Sequence, residues 1–208
     1  MRALTVIGPL LLFPLFANSQ GTKISTAADR DSAERLGALP ASFSGQMTCA
    51  HCPGYELNLF PDGAYFLRVT YIESPGARYE QMGRWVVSDG GGKLTLMLDG
   101  EPLEQFEVKS AARLRRLNMQ GYESDSKLNY DLQRTLPFER LKPRLEMRGM
   151  FREGPDAPNF TECETGQRWP VAMEADYNAL ESAYLTTQRQ PGEDLLVTVD
   201  GQVTISPG

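Results

Sequence analysis

From Ala41 to Arg134 the apolar residues of this 208-residue chain recur with a period of two. That is the spacing of strands that turn one face to a core. "YELNL" sets Tyr55, Leu57 and Leu59 against Glu56 and Asn58. "AYFLRVTYIE" places Tyr65, Leu67, Val69 and Tyr71 on one face, and "KLTLMLD" turns Leu94, Leu96 and Leu98 inward. "YEQMGRWVV", "EQFEV", "ARLRRLN" and "LNYDLQR" complete the series. "PDG", "SDGGG" and "DGEP" read as tight turns, in which Gly takes positive φ at no steric cost. The pattern predicts about eight short strands joined by hairpins. With no long crossover between them, an up-and-down barrel is expected, because closure removes exposed sheet edges. An eight-stranded barrel is just wide enough to fill with side chains or to hold one small ligand. The adjacent charges Arg115 and Arg116 break the alternation, and a bulge is expected there.

The flanks follow other rules. Arg2 and the apolar run Leu4–Phe16 lead to the small residues Ala17-Asn18-Ser19, the pattern of a secretory signal peptide cleaved after Ser19. The run is too short to span a bilayer, and no later segment could do so. No cysteine stands near the cleavage point, so lipid attachment is not expected there, and the exported chain is expected to be a soluble periplasmic one. Residues 20–39 read as a flexible leader, 40–134 as the barrel and 135–146, with two prolines, as a linker. Residues 147–208 read as a small α+β unit. In it "MRGMFRE" and "TGQRWPV" are strands and "GPDAPNF" is a loop. "EADYNALESAYL" (174–185) is a helix whose Tyr177, Leu180 and Tyr184 form one stripe. "DLLVTVDGQVTI" reads as a hairpin turning at "DG". A unit this small is expected to lean on the barrel.

Charge narrows the partners. The net charge is −6, and outside "RLRR" (113–116) the basic residues are dispersed. Nucleic acid is therefore not expected, since phosphate binding needs a concentrated basic face.

The chemistry is concentrated in "GQMTCAHCPG" (45–54), which holds two of three cysteines and the single histidine. A haem attachment needs His directly after the second Cys, where Pro53 stands. A thioredoxin-type pair needs a helix start within a βαβ unit, and here a strand follows. A closed zinc site needs further ligands that the chain scarcely offers. Met47, Cys49, His51 and Cys52 are soft donors that suit Cu(I), and ligation would require the cysteines to be reduced. The plain reading is a disulfide or an inert thiol pair pinning the first hairpin, and both stay open on the residues alone. Cys163 is left over and reads as a small buried hydrophobe. Glu162 and Glu164 read as solvated surface. No nucleophile–base arrangement is visible, so no enzyme is expected.

The order "LPASFSGQMTCAHCPGYELNLFPDGAYFLRVTYIES", then "GRWVV" and "LNYDLQR", resembles the N-terminal domain of the NlpE (CutF) copper-resistance lipoproteins of Gram-negative envelopes. There a "CxxCPG" followed by "DG.Y" opens a lipocalin-like barrel. Cys49, Cys52, Pro53, Gly54, Asp62, Gly63, Tyr65 and Tyr71 stand at matching points. The later "RGMF" and "TGQRWPVAMEADYNALE" are similar to the sequence that accompanies such domains. The resemblance implies a mainly β fold, an eight-stranded lipocalin-like barrel followed by an OB-like α+β domain. It implies copper tolerance or envelope-stress sensing, Cu(I) as the metal, and an envelope-stress signalling protein as the partner. Two alternatives stand beside it. One is a carrier of a small apolar ligand, its cavity lined by Tyr65, Tyr71, Phe106 and Tyr130. The other is a partner-binding sensor with a structural CxxC.

Overall fold

The computed structural model describes residues 35–48, 52–71, 77–88, 90–124, 128–154, 157–187, 190 and 192–204. The expected signal peptide and most of the expected leader lie outside them. Eight antiparallel strands close a barrel in chain order, from β1 (Ala41–Gln46) to β8 (Asp131–Thr135). Between them run β2 (Gly54–Leu59), β3 (Ala64–Thr70), β4 (Arg78–Ser88), β5 (Lys93–Leu98), β6 (Glu101–Ser110) and β7 (Arg113–Arg116). Closure comes from β1 pairing with β8, Phe43 opposite Arg134.

Period two became an interior. Tyr55, Leu57, Leu59, Tyr65, Leu67, Leu94, Leu96, Phe106, Val108, Leu114 and Leu132 are buried in one cluster. Tyr65 needs Gly83 opposite it, because a Cβ there would meet the phenol ring at 2.9 Å. Tyr71 departs from expectation. β3 ends at Thr70, and Tyr71 is 46% exposed beyond the strand.

The expected bulge at Arg115 and Arg116 is absent, and the pairing there is regular. Arg115 points outward to Asp131, while Arg116 keeps the inward phase of Leu114 and meets an inward Glu104. The alternation was intact, and the polarity was satisfied across the barrel. The register shifts fall elsewhere. Between Leu96 and Met97 the partner jumps from Glu104 to Pro102, so Leu103 has no opposite number, and a second shift omits Lys109.

The second unit is a four-stranded sheet in the order β11-β10-β9-β12. Its strands are β9 (Arg144–Arg152), β10 (Asn159–Glu162), β11 (Arg168–Pro170) and β12 (Leu195–Gln202). Helix α1 (Tyr177–Thr187) packs Tyr184 edge-on against Phe151, with ring centroids 5.4 Å apart. The expected hairpin at Asp200-Gly201 is instead one unbroken strand, because β9 offers a partner to every residue from Leu195 to Gln202. Gly201 serves there as a small residue, since a Cβ would lie 3.2 Å from the Met147 methyl. β9 also begins within the stretch that read as a linker.

The unit leans on the barrel as expected. β3 is buried on both faces. Its Ala64 and Phe66 join Phe60 and Met82 in a second core with Leu141, Leu145, Met147 and Phe160. Polar ties fix the contact. The Asn58 amide donates to the Ser42 hydroxyl and the Glu139 carbonyl, and its oxygen accepts Leu141 N–H at 2.7 Å. Arg84 donates to the carbonyls of Glu164 and Thr165, and Gln167 to Asp62. Asp62 also caps the "DG" turn by accepting Ala64 N–H, where Gly63 sits at φ 86°.

Candidate functional site: the barrel mouth at Cys52

The hairpin topology puts the β1–β2 loop, the β3–β4 loop, the β5–β6 turn and the β7–β8 loop at one end of the barrel. Cys52 lies in the first of these. Cys49 and His51 lie outside the described residues. Cys52 is disulfide-bonded and half-buried against the barrel core. Met47 is 3% exposed and belongs to that core.

The loop carrying Cys52 is held by side chains the sequence reading passed over. Gln46 Nε2 donates to the Cys52 carbonyl at 3.0 Å. Gly54 makes that possible, since a Cβ on it would stand 2.8 Å from Gln46 Oε1. Met47 N–H donates to the Pro53 carbonyl. The β7–β8 loop joins in: Thr48 N–H donates to the Asn129 carbonyl, and Asn129 Nδ2 donates to the Gln46 carbonyl. The two loops are thus one hydrogen-bonded body.

Inside the mouth sits a polar cluster. Arg116 grips Glu104 through two nitrogens, at 2.7 and 3.0 Å, and lies 5.5 Å from the Tyr55 ring centre. Tyr55 O–H donates to Glu104 at 3.3 Å. Burial pushes the Tyr55 phenol well up, with the Glu104 charge adding to it, so Tyr55 stays a donor. Burial works against the Arg116 cation, but the Glu104 hydrogen bonds outweigh it and raise its pKa. The sequence carried a signal for this pair. Glu104 precedes inward Phe106 by two residues and Arg116 follows inward Leu114 by two, so both are charges at core phase.

The rim is apolar and exposed. Tyr71, Tyr79 and Leu103 flank the mouth, each between 39% and 47% exposed, and Met119, Tyr122 and Leu128 are exposed on the segment between β7 and β8. The β6 register shift lifts Leu103 out of the ladder to join them. Tyr79 O–H donates to the buried amide oxygen of Gln81.

Two comparisons bear on this arrangement. The NlpE N-terminal domain matches residues 43–127, and the NlpE C-terminal OB domain matches residues 141–208. The chain belongs to the NlpE family. It is 29% identical over 206 residues to lipoprotein NlpE of Escherichia coli (strain K12), spanning 97% of this chain and 84% of that protein. A crystal structure of the Cpx pathway activator NlpE from Escherichia coli is 28% identical. It covers 79% of this chain and 85% of that chain, with a TM-score of 0.36.

Within this NlpE-type architecture the other expected chemistry separates. Tyr65 and Phe106 are fully buried and fill the interior, so they pack the space the carrier reading would leave open. Tyr130 packs against that core, half-buried. Among the described residues no group of three or more His, Cys, Asp or Glu side chains could hold a metal. With the Cys52 sulfur in a disulfide and Met47 taken up by the core, the described donors do not fit a metal in this state. Cys163, expected as a small buried hydrophobe, is instead exposed and free on the β10–β11 turn. Glu162, expected at the solvated surface, is buried at 5% exposure. Its carboxylate accepts the N–H groups of Glu164 and Thr165 at 2.7 and 2.6 Å and the Thr165 hydroxyl, tying the turn.

Proposed function

We propose that the chain is an exported, non-enzymatic envelope protein that senses envelope stress and passes it to a signalling partner through the barrel mouth. The observation that carries this reading is the exposed apolar rim beside Cys52. Exposed Tyr71, Tyr79 and Leu103 flank the mouth that also holds Cys52. Exposed apolar clusters rich in Tyr mark interaction surfaces. Membership of the NlpE family and the relative's description as a Cpx pathway activator agree with it.

Cys49 is the proposed disulfide partner of Cys52, and the pair is the proposed switch. Reduction would free the Cys52 loop, and Gln46 and Asn129 would carry the change into the β7–β8 loop. Cu(I) is the proposed metal of the reduced form, with Cys49 and Cys52 as ligands and Met47 and His51 as accessories. The test has three arms. Thiol labelling of periplasmic extract should find a reducible fraction of the pair. Cys49→Ser/Cys52→Ser should fix an envelope-stress reporter at one level. Cu(I) should bind the reduced wild type and not this double variant. A pair oxidised under every condition, with the double variant signalling normally, would overturn the switch. Equal, weak copper binding by both proteins would remove copper.

A further inference from the structure

A separate feature lies on the outer wall of the barrel. A cavity of about 460 Å³ opens between β1 and β2 on one side and residues 139–142 of the connecting segment on the other. Its lining includes three cations: Arg68, Arg140 and Lys142. Arg68 is neutralised by Glu56 at 3.2 Å and Glu80 at 2.8 Å. Arg140 and Lys142 make no side-chain ion pair or hydrogen bond among the described residues. The Arg140 Nε is buried and without an acceptor. The guanidinium carbon lies 4.8 Å from the Phe60 ring centre and 5.8 Å from that of Phe66, so the head is fixed in place and partly stripped of water.

Covering two phenylalanines would be done as well by Met or Leu. A guanidinium there loses hydration at Nε, whose N–H is left without an acceptor, a cost an unsatisfied donor carries in any folded protein. The cavity wall is rigid, because Asn58 and Ser42 clamp the backbone on either side of Arg140 at Glu139 and Leu141. The charged side chains that line the cavity are Arg68, Arg140 and Lys142 against Glu56 and Glu139, a net of one positive charge.

We infer that this cavity binds a small ligand through a carboxylate or phosphoryl oxyanion, with the two Nη groups at the tip of Arg140 as the recognition fork and Lys142 as a point charge. The ligand would touch the barrel and the connector at once. A planar, immobilised guanidinium matches the two oxygens of such a group, and Lys142 needs no fixed geometry.

The test is titration of the full chain with sodium acetate and, separately, inorganic phosphate, followed by amide chemical shifts at constant ionic strength held with chloride. Saturable shifts centred on residues 139–142 and on β1 are expected from at least one probe, and none from chloride. The tighter probe tells a carboxylate from a phosphoryl ligand. Arg140→Met keeps the contact with the rings and should weaken binding by about tenfold or more. Arg140→Lys should fail to restore it. Lys142→Met, at an exposed position that leaves the fold intact, should weaken it by about threefold or more. Non-saturable shifts equal to those with chloride would overturn the proposal. So would titrations of folded Arg140→Met that match wild type.

Discussion

The two ends of the barrel are built to opposite rules. At the base, where β1 starts and the β6–β7 turn lies, Leu36 plugs the interior and is fully buried. Arg134 locks the plug by donating to the carbonyls of Leu36, Ala38 and Ala111, and its head stacks over Phe43 at 5.0 Å. Trp85 Nε1 adds a bond to the Phe60 carbonyl at 3.0 Å. At the mouth the closure is polar, made by Glu104, Arg116 and Tyr55, and the apolar side chains face water. A base sealed with apolar packing gains stability from every buried atom. A mouth closed by a few directional bonds can be opened by breaking them, which is what a switch needs.

The largest effect is expected from emptying the base. Leu36→Ala should cost about 2–5 kcal/mol in urea unfolding, since the plug has no room to collapse. A loss below about 1 kcal/mol would mean that the plug is not part of the closed barrel. Next, Glu104→Gln should cost about 1–3 kcal/mol, because it leaves Arg116 half-buried without its counter-charge. Double-mutant cycles with Arg116→Met should return most of that cost as coupling, and additive losses would show the pair to be independent.

A smaller effect is expected with acid. Burial raises the Glu80 carboxyl, but its bond to Arg68 outweighs that, helped by the Arg144 N–H, and its pKa is lowered. A depressed folded-state pKa gives stability that is present above the unfolded pKa of about 4.3 and is lost as pH falls through the folded value. Because Arg144 opens β9, that loss should loosen the second unit from the barrel. Glu80→Gln should flatten the stability–pH curve below about pH 4.5. An unchanged acid limb would refute the link. The smallest effect belongs to the rim. Tyr71→Ser and Tyr79→Ser should each change stability by less than about 0.5 kcal/mol while lowering reporter signalling. A large stability loss with normal signalling would make the rim structural.

The barrel was largely legible before the structure. Strands from Gly54 to Thr135, the inward leucines as far as Leu96 and the Tyr177/Tyr184 stripe follow from local periodicity, which needs only neighbours in the chain, whereas Leu98, expected inward, lies past the register shift at Leu96/Met97 and outside the core. Asp200-Gly201 misled because "DG" is a turn only when no partner strand extends past it, and β9 does. Arg115 and Arg116 misled because their satisfaction depends on Asp131 and Glu104 across the sheet. Glu162 and Cys163 exchanged the environments expected of them because a four-residue turn turns the carboxylate in to its own N–H groups and the thiol out. For the site, the sequence picked out the Cys52 loop, while Gln46, Asn129 and the Glu104–Arg116 pair had no motif to announce them.

By itself, then, the sequence determined the periodicity, hence the strands, the interior they enclose and the family to which they belong. Tertiary structure alone decided which end is sealed, which charges neutralise one another and which face of β3 meets the second unit. The reason is range. Alternation is written between residues two apart, whereas Glu104 meets Arg116, and Asn58 meets Leu141, only after the strand register has been set.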